Sequence, residues 1–199
     1  MDDLTPREQL ISRFEADIAE HAAALGELAT IGNSIAEAAE ILMALATSGG
    51  TLLVCGNGGS AADSQHIVAE YLGRFLRERE PLAAIALTTN SSALTAIGND
   101  YGFEQVFSRQ VLAHARPGDV LLGLSTSGDS PNVRLAIQAA RECGAETIAL
   151  GGPRGGTIAQ AADVAVLAPG ATTPRVQEMH ILIAHIWCGL VEEHVCARP

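Results

Sequence analysis

Thr51-Leu52-Leu53-Val54-Cys55-Gly56-Asn57-Gly58-Gly59-Ser60-Ala61 decides the fold. A short apolar run passes at once into a glycine-rich turn and then into a helical stretch. An apolar run without polar alternation reads as a strand buried on both faces, as strands of a parallel sheet covered by helices are. Downstream the pattern recurs. Similar runs stand at 82–87, 120–124, 147–150 and 164–167. Helical stretches fill the gaps at 61–73, 91–113, 131–143 and 156–162, and a last helix runs from about 174 to 195. Strands alternating with helices predict an α/β fold: a doubly wound five-stranded parallel sheet flanked by helices, flavodoxin-like or Rossmann-like.

Upstream, residues 7–48 are rich in Ala, Leu, Ile and Glu. Ile35, Ala38, Ile41, Leu42 and Leu45 recur at helical spacing, and Gly49-Gly50 stops the run. These are extra N-terminal helices. No linker, repeat or low-complexity tract divides the chain. The expectation is one domain over 1–199, with helices over 1–48 and the α/β core and C-terminal helix over 51–199.

Composition narrows the function. Twelve Lys and Arg stand against 23 Asp and Glu in 199 residues, a formal charge of −11. Such a chain lacks the basic face that nucleic acid or an anionic membrane requires. No stretch of about 18 apolar residues appears, so no membrane span is expected. The N-terminus carries no apolar signal core. Cys55, Cys143, Cys188 and Cys196 form no CxxC pair and read as free thiols of a reducing, cytoplasmic compartment. An anionic small substrate must then be held by local amides and hydroxyls.

In open α/β sheets, ligands sit beyond the carboxyl ends of the strands. In the loop after the first strand, the glycines at 56, 58 and 59 do not form GxGxxG, and Leu87-Thr88-Thr89-Asn90 offers no ribose-binding acid. No nucleotide is expected. Ser60 stands where it can cap the following helix. The loop after the third strand, Ser125-Thr126-Ser127-Gly128-Asp129-Ser130-Pro131-Asn132, is the strongest local signal. Its hydroxyls and free amides at a helix start suit a phosphate monoester. No P-loop lysine follows.

His66 and Glu70 lie four apart on one helical face, a spacing that serves a metal or an acid/base pair. Gln177, Glu178, His180 and His185 supply further candidates on the last helix. His180 reads equally as a hydrogen-bonded helix residue. His21, His114 and His194 read as surface residues. Arg74 reads either as a phosphate contact or as a solvated side chain.

Together, 56–63 with His66 and Glu70, 94–102, 125–132 and 175–180 resemble the motifs of the sugar isomerase (SIS) domain family, and more narrowly its phosphoheptose isomerase branch. The resemblance runs from about residue 30 to 195. It implies conversion of sedoheptulose 7-phosphate to D-glycero-D-manno-heptose 7-phosphate. It implies a phosphate site at Ser125, Thr126, Ser127 and Ser130, and substrate contacts at Asn57, Gly58, Gly59, Ser60, Asn99, Asp100 and Gln177. It implies one zinc ion per subunit on His66, Glu70, Gln177 and His185, with Glu70 as base and His185 as acid, and a homotetramer with sites at subunit interfaces. Two other readings stay open. One is a non-catalytic binding module like the DnaA initiator-associating relative, whose pattern lacks the acid and the histidine that stand here at 70 and 185. The other is a different SIS sugar-phosphate isomerase.

Overall fold

A computed structural model describes residues 5–197. The chain opens with α1 (Pro6–Leu28), started by Pro6 and a reciprocal capping box between Thr5 and Glu8. A single 3₁₀ turn, Ala29–Ile31, separates it from α2 (Gly32–Ser48). Gly49, at φ 76°, ends α2 in the left-handed region.

Five strands follow: β1 (Leu52–Cys55), β2 (Ala84–Ala86), β3 (Val120–Ser125), β4 (Glu146–Gly151) and β5 (Val164–Leu167). Every neighbouring pair is parallel and the order is β2-β1-β3-β4-β5. This is the doubly wound order with its switch between β1 and β3. The helices between them are α3 (Gly59–Leu72), α4 (Ser91–Tyr101), α5 (Ser108–His114), α6 (Pro131–Glu142) and α7 (Gly156–Ala161), and α8 (Thr173–Cys196) closes the fold.

Alternation along the strands divides the interior into two layers. Leu52, Val54, Leu122, Leu124, Ile148 and Leu150 face α1, α2, α3 and α8. Leu53, Cys55, Leu121 and Ala149 face α5, α6 and α7. Both faces are dry, which is why these strands carry no polar alternation.

Two stretches differ from the sequence expectation. The helix expected over 91–113 is broken by Gly102, whose φ of 93° no helix accommodates, followed by a 3₁₀ turn at Phe103–Gln105. The strand expected over 82–87 shrinks to Ala84–Ala86. It lies at the sheet edge, and Ile85 turns outward there.

Among the described residues one helical run, 6–48, passes the length and composition of a membrane span, with a window of mean hydropathy 1.3. This qualifies the expectation that nothing in the chain is apolar enough. The α2 part of that run is used within the fold: Ala38, Ala39, Leu42 and Leu45 sit in the core with Trp187 and Val191 of α8.

Candidate functional site

β1 and β3 are neighbours, yet α3 packs on one face of the sheet and α6 on the other. The loops leaving the two strands therefore part and open a crevice. Asn57 and Asn132 bridge them with a reciprocal amide pair: each Nδ2 donates to the other's Oδ1, at 2.9 and 2.8 Å. Asn132 is buried, and its Oδ1 also accepts its neighbour Val133 N–H at 3.0 Å. The pair lines a cavity of about 490 Å³ with Ser130, Phe103 and Glu104. Asn132 belongs to the hydroxyl loop, and its partner lies 75 positions away, a separation that carries no local sequence signal.

The hydroxyl loop curls around Ser125. Its buried Oγ lies 2.8 Å from Ser130 Oγ and 3.3 Å from Ser127 Oγ, and accepts Gly128 N–H at 3.2 Å. Ser127 Oγ accepts Asp129 N–H at 3.2 Å. Ser130 stands at the N-cap of α6 but makes no side-chain cap bond, so ordinary capping does not account for these hydroxyls. Thr126 and Ser127 border a second cavity of about 460 Å³, shared with Arg154, Thr172, Thr173 and Val176. A Cβ on Gly152 would lie 2.2 Å from Thr126 O, so only glycine lets the loop after β4 support this wall.

Ser60 does not cap α3. Gly58, at φ 56°, starts the helix two residues earlier than expected, which puts Ser60 inside the first turn. There it is buried, and its Cβ lies beneath Gly56. Gln177 abuts Gly59: a Cβ there would lie 2.3 Å from Gln177 Nε2.

Two turns further along α3, three ionisable groups meet. His66 Nε2 lies 3.0 Å from His185 Nε2 and 3.4 Å from Glu70 Oε1. The two imidazoles meet edge to face at 5.2 Å, and the Phe75 ring lies 5.5 Å from His185. Two ring nitrogens this close cannot both present lone pairs. Either one carries a proton donated to the other, or a cation lies between them. Zinc–nitrogen bonds of about 2.0–2.1 Å at a tetrahedral centre put two ligand nitrogens roughly 3.3 Å apart, so the imidazole pair fits a shared zinc. Gln177, expected as the fourth ligand, stands eight residues before His185 on α8 and abuts Gly59 in the first turn of α3. Among the described residues no three His, Cys, Asp or Glu side chains already converge on one ion position.

The remaining candidates stand apart. Asn99 Nδ2 donates to Asp100 Oδ1 at 2.8 Å on exposed α4, and the two bond to each other. Arg74 faces Glu78 at 3.7 Å and is solvated. His180 is fully buried, and its Nε2 donates to Gly151 O at 3.1 Å. Desolvation lowers its pKa to about 4, against a small opposite effect of the Gly151 bond, so it is neutral at pH 7. His21 is no idle surface residue. Its Nδ1 pairs with Glu178 Oε2 at 2.7 Å, Glu178 also pairs with Arg175 at 2.8 Å, and Arg175 donates to Asp17 O. His194 meets Thr47 Oγ1 at 3.0 Å. Burial raises the thiols of Cys55 and Cys188 to about 12, leaving them inert, and all four cysteines are free.

Residues 16–152 match the family model of the SIS domain. The chain is 56% identical over 164 residues to the phosphoheptose isomerase of Rhodospirillum rubrum, covering 82% of this chain and 87% of that protein. It is 51% identical over 188 residues to the phosphoheptose isomerase of a Geobacter species, covering 94% and 96%. Among solved structures, the phosphoheptose isomerase of Neisseria gonorrhoeae superposes with a TM-score of 0.87 at 47% identity, over 92% of this chain and 99% of that one. The phosphoheptose isomerase of Francisella tularensis gives 0.85 at 36% identity, over 96% and 100%.

Proposed function

Since the chain belongs to the SIS-domain family and, within it, to the phosphoheptose isomerases, we propose that it converts sedoheptulose 7-phosphate to D-glycero-D-manno-heptose 7-phosphate through an enediol. The observation that carries this reading is the meeting of Glu70 with His66 and His185 between α3 and α8. Moving a carbonyl between the first two sugar carbons needs a base at carbon and a proton carrier at oxygen. Glu70 takes a proton from C1 and returns one to C2. His185 carries the proton between the two oxygens.

The phosphate sits on Ser125, Thr126, Ser127 and Ser130, where hydroxyls and loop amides replace the cations an acidic chain lacks. Asn57, the backbone of Gly58 and Gly59, and Gln177 orient the sugar hydroxyls. His66, Glu70, Gln177 and His185 would hold zinc, two imidazoles and a carboxylate being donors it favours. When bound, zinc supplies polarisation of the carbonyl. The enzyme works in the cytoplasm as a homotetramer. Leu10, Phe14 and Ile18 support the assembly: they are 72%, 63% and 52% exposed along one stripe of α1.

Purified protein is incubated with sedoheptulose 7-phosphate in heavy water, with and without added zinc, and followed by NMR. Aldoheptose phosphate carrying deuterium at C2 is the expected product. Binding without conversion would overturn the catalytic reading.

A further inference from the structure

Between α3 and β2 the chain runs through residues 73–83 as an irregular strap. It holds none of the groups assigned a chemical role above, yet it is anchored more firmly than a surface loop requires. Glu192, on α8, accepts three consecutive backbone amides from it: Phe75 N–H on Oε1 at 2.9 Å, and Leu76 and Arg77 N–H on Oε2 at 2.7 and 2.8 Å. Arg79 Nε lies 3.5 Å from Glu192 Oε1, and both side chains are buried, at 6% and 3% exposure. The Arg79 fork then turns back to the end of α3. Nη2 donates to Glu70 O at 2.6 Å, and Nη1 donates to Tyr71 O at 3.0 Å and Glu80 O at 2.9 Å.

Two consequences meet at the reacting groups. Arg79 holds carbonyls that the last turn of α3 leaves without helical partners, beginning with that of Glu70. Glu192 holds Phe75, whose ring lies against His185. Glu192 also follows His185 by seven residues, two turns along the same face of α8. A buried ion pair is a poor source of stability, because desolvation offsets most of its attraction. Burial raises the Glu192 pKa, but the three amides and Arg79 outweigh it and hold the carboxyl below its ordinary value.

Resting on the assignment of Glu70 and His185 as base and acid, we infer that Arg79 and Glu192 are positioning residues of the isomerase, one fixing the backbone of the base and the other fixing the aromatic wall of the acid. Neither touches substrate. Their loss therefore lowers kcat and leaves KM, set by the hydroxyl loop and the Asn57–Asn132 bridge on other elements, nearly unchanged.

The test compares wild type, Glu192→Gln, Arg79→Lys, Glu70→Gln and a control, Asp163→Asn. The control weakens the bonds from Thr147 N and Oγ1 to Asp163 at the far side of the sheet. All are assayed well below their melting temperatures, with amide hydrogen exchange followed over residues 75–77. Glu192→Gln is expected to lose roughly 10- to 100-fold in kcat with KM within about twofold, and to lose amide protection in the strap. Asp163→Asn is expected to lose thermal stability but not kcat. If Glu192→Gln does not fold, Arg79→Lys, which keeps the charge and loses the fork, carries the same expectation. Wild-type kcat in a folded clamp variant, with Glu70→Gln inactive, overturns the positioning role alone. Turnover retained in Glu70→Gln overturns the assignment of the base, and the positioning role with it.

Discussion

Glu70 and His180 are both ionisable and lie on helices that pack on the same face of the sheet, α3 and α8, yet burial assigns them opposite work. Glu70 keeps one oxygen 3.4 Å from His66 and a path to solvent. Replacing it with Gln keeps volume and removes the base, so kcat should fall by at least the roughly 10²–10⁴ that general-base catalysis contributes, with the fold and sugar phosphate binding retained. Single-turnover kinetics and a binding titration on Glu70→Gln check this; a wild-type rate sinks the mechanism. His180 is sealed in the core with its pKa lowered to about 4. Between pH 6.5 and 4 the unfolded chain binds a proton there that the folded chain refuses. Stability is therefore full above pH 6.5 and falls as acid is added through that window, by roughly 3 kcal/mol at its lower end. Urea unfolding at pH 7, 5.5 and 4.5 should show this loss in wild type and a shallower slope in His180→Gln. Equal slopes would mean that His180 does not govern the acid response.

The elements differ in how openly the sequence announces them. β1, β3 and β4 are apolar runs ended by glycine or serine, a local signal, and they lie within a residue or two of the expected positions. The break at Gly102 was harder to read, because a single glycine is tolerated inside many helices and only its φ of 93° shows the chain turning. In the site, the hydroxyl loop and the His66/Glu70 spacing were visible because each lies within one short segment. The Asn57–Asn132 bridge, the Glu192 clamp and the His21–Glu178 pair span 75, 117 and 157 positions. No periodicity in one chain links such partners; only the β1–β3 adjacency and the packing of α3 and α1 on α8 bring them together. The asparagine bridge joins two elements, so its loss should be felt in both. Asn132→Ala leaves the Asn57 amide without its partner, which costs about 1–3 kcal/mol. It also frees the loop after β1 to drift from the hydroxyl loop, so KM for the sugar phosphate should rise. Chemical denaturation with steady-state kinetics tests both, and an unchanged KM would separate the bridge from substrate binding.

At the scale of the whole molecule the question is what covers α1. Its inner side is spoken for: Ala24 and Leu28 are in the core, and Arg175 and Glu178 of α8 hold Asp17 O and His21. The helix is thus fixed to the body and cannot splay to bury its outer side. That side presents Leu10, Phe14 and Ile18, spaced by one helical turn each, with Leu25 exposed further along. A lone exposed leucine means little, but an ordered stripe on a rigid helix is what a symmetric helical interface looks like before it closes. Charge argues the same way. At −11, copies of this chain repel one another, so association needs an apolar contact strong enough to overcome that repulsion. Phe14→Glu adds a charge at the middle of the stripe without disturbing the core face. Sedimentation should then show the wild type as a tetramer and the variant as smaller species with an unchanged circular dichroism spectrum. Since the tetramer is expected to form its sites at subunit contacts, turnover should fall with the mass, and raising the protein concentration should restore both together. A variant that stays tetrameric would move the interface elsewhere. A variant that dissociates at full activity would mean that a single chain completes its own site.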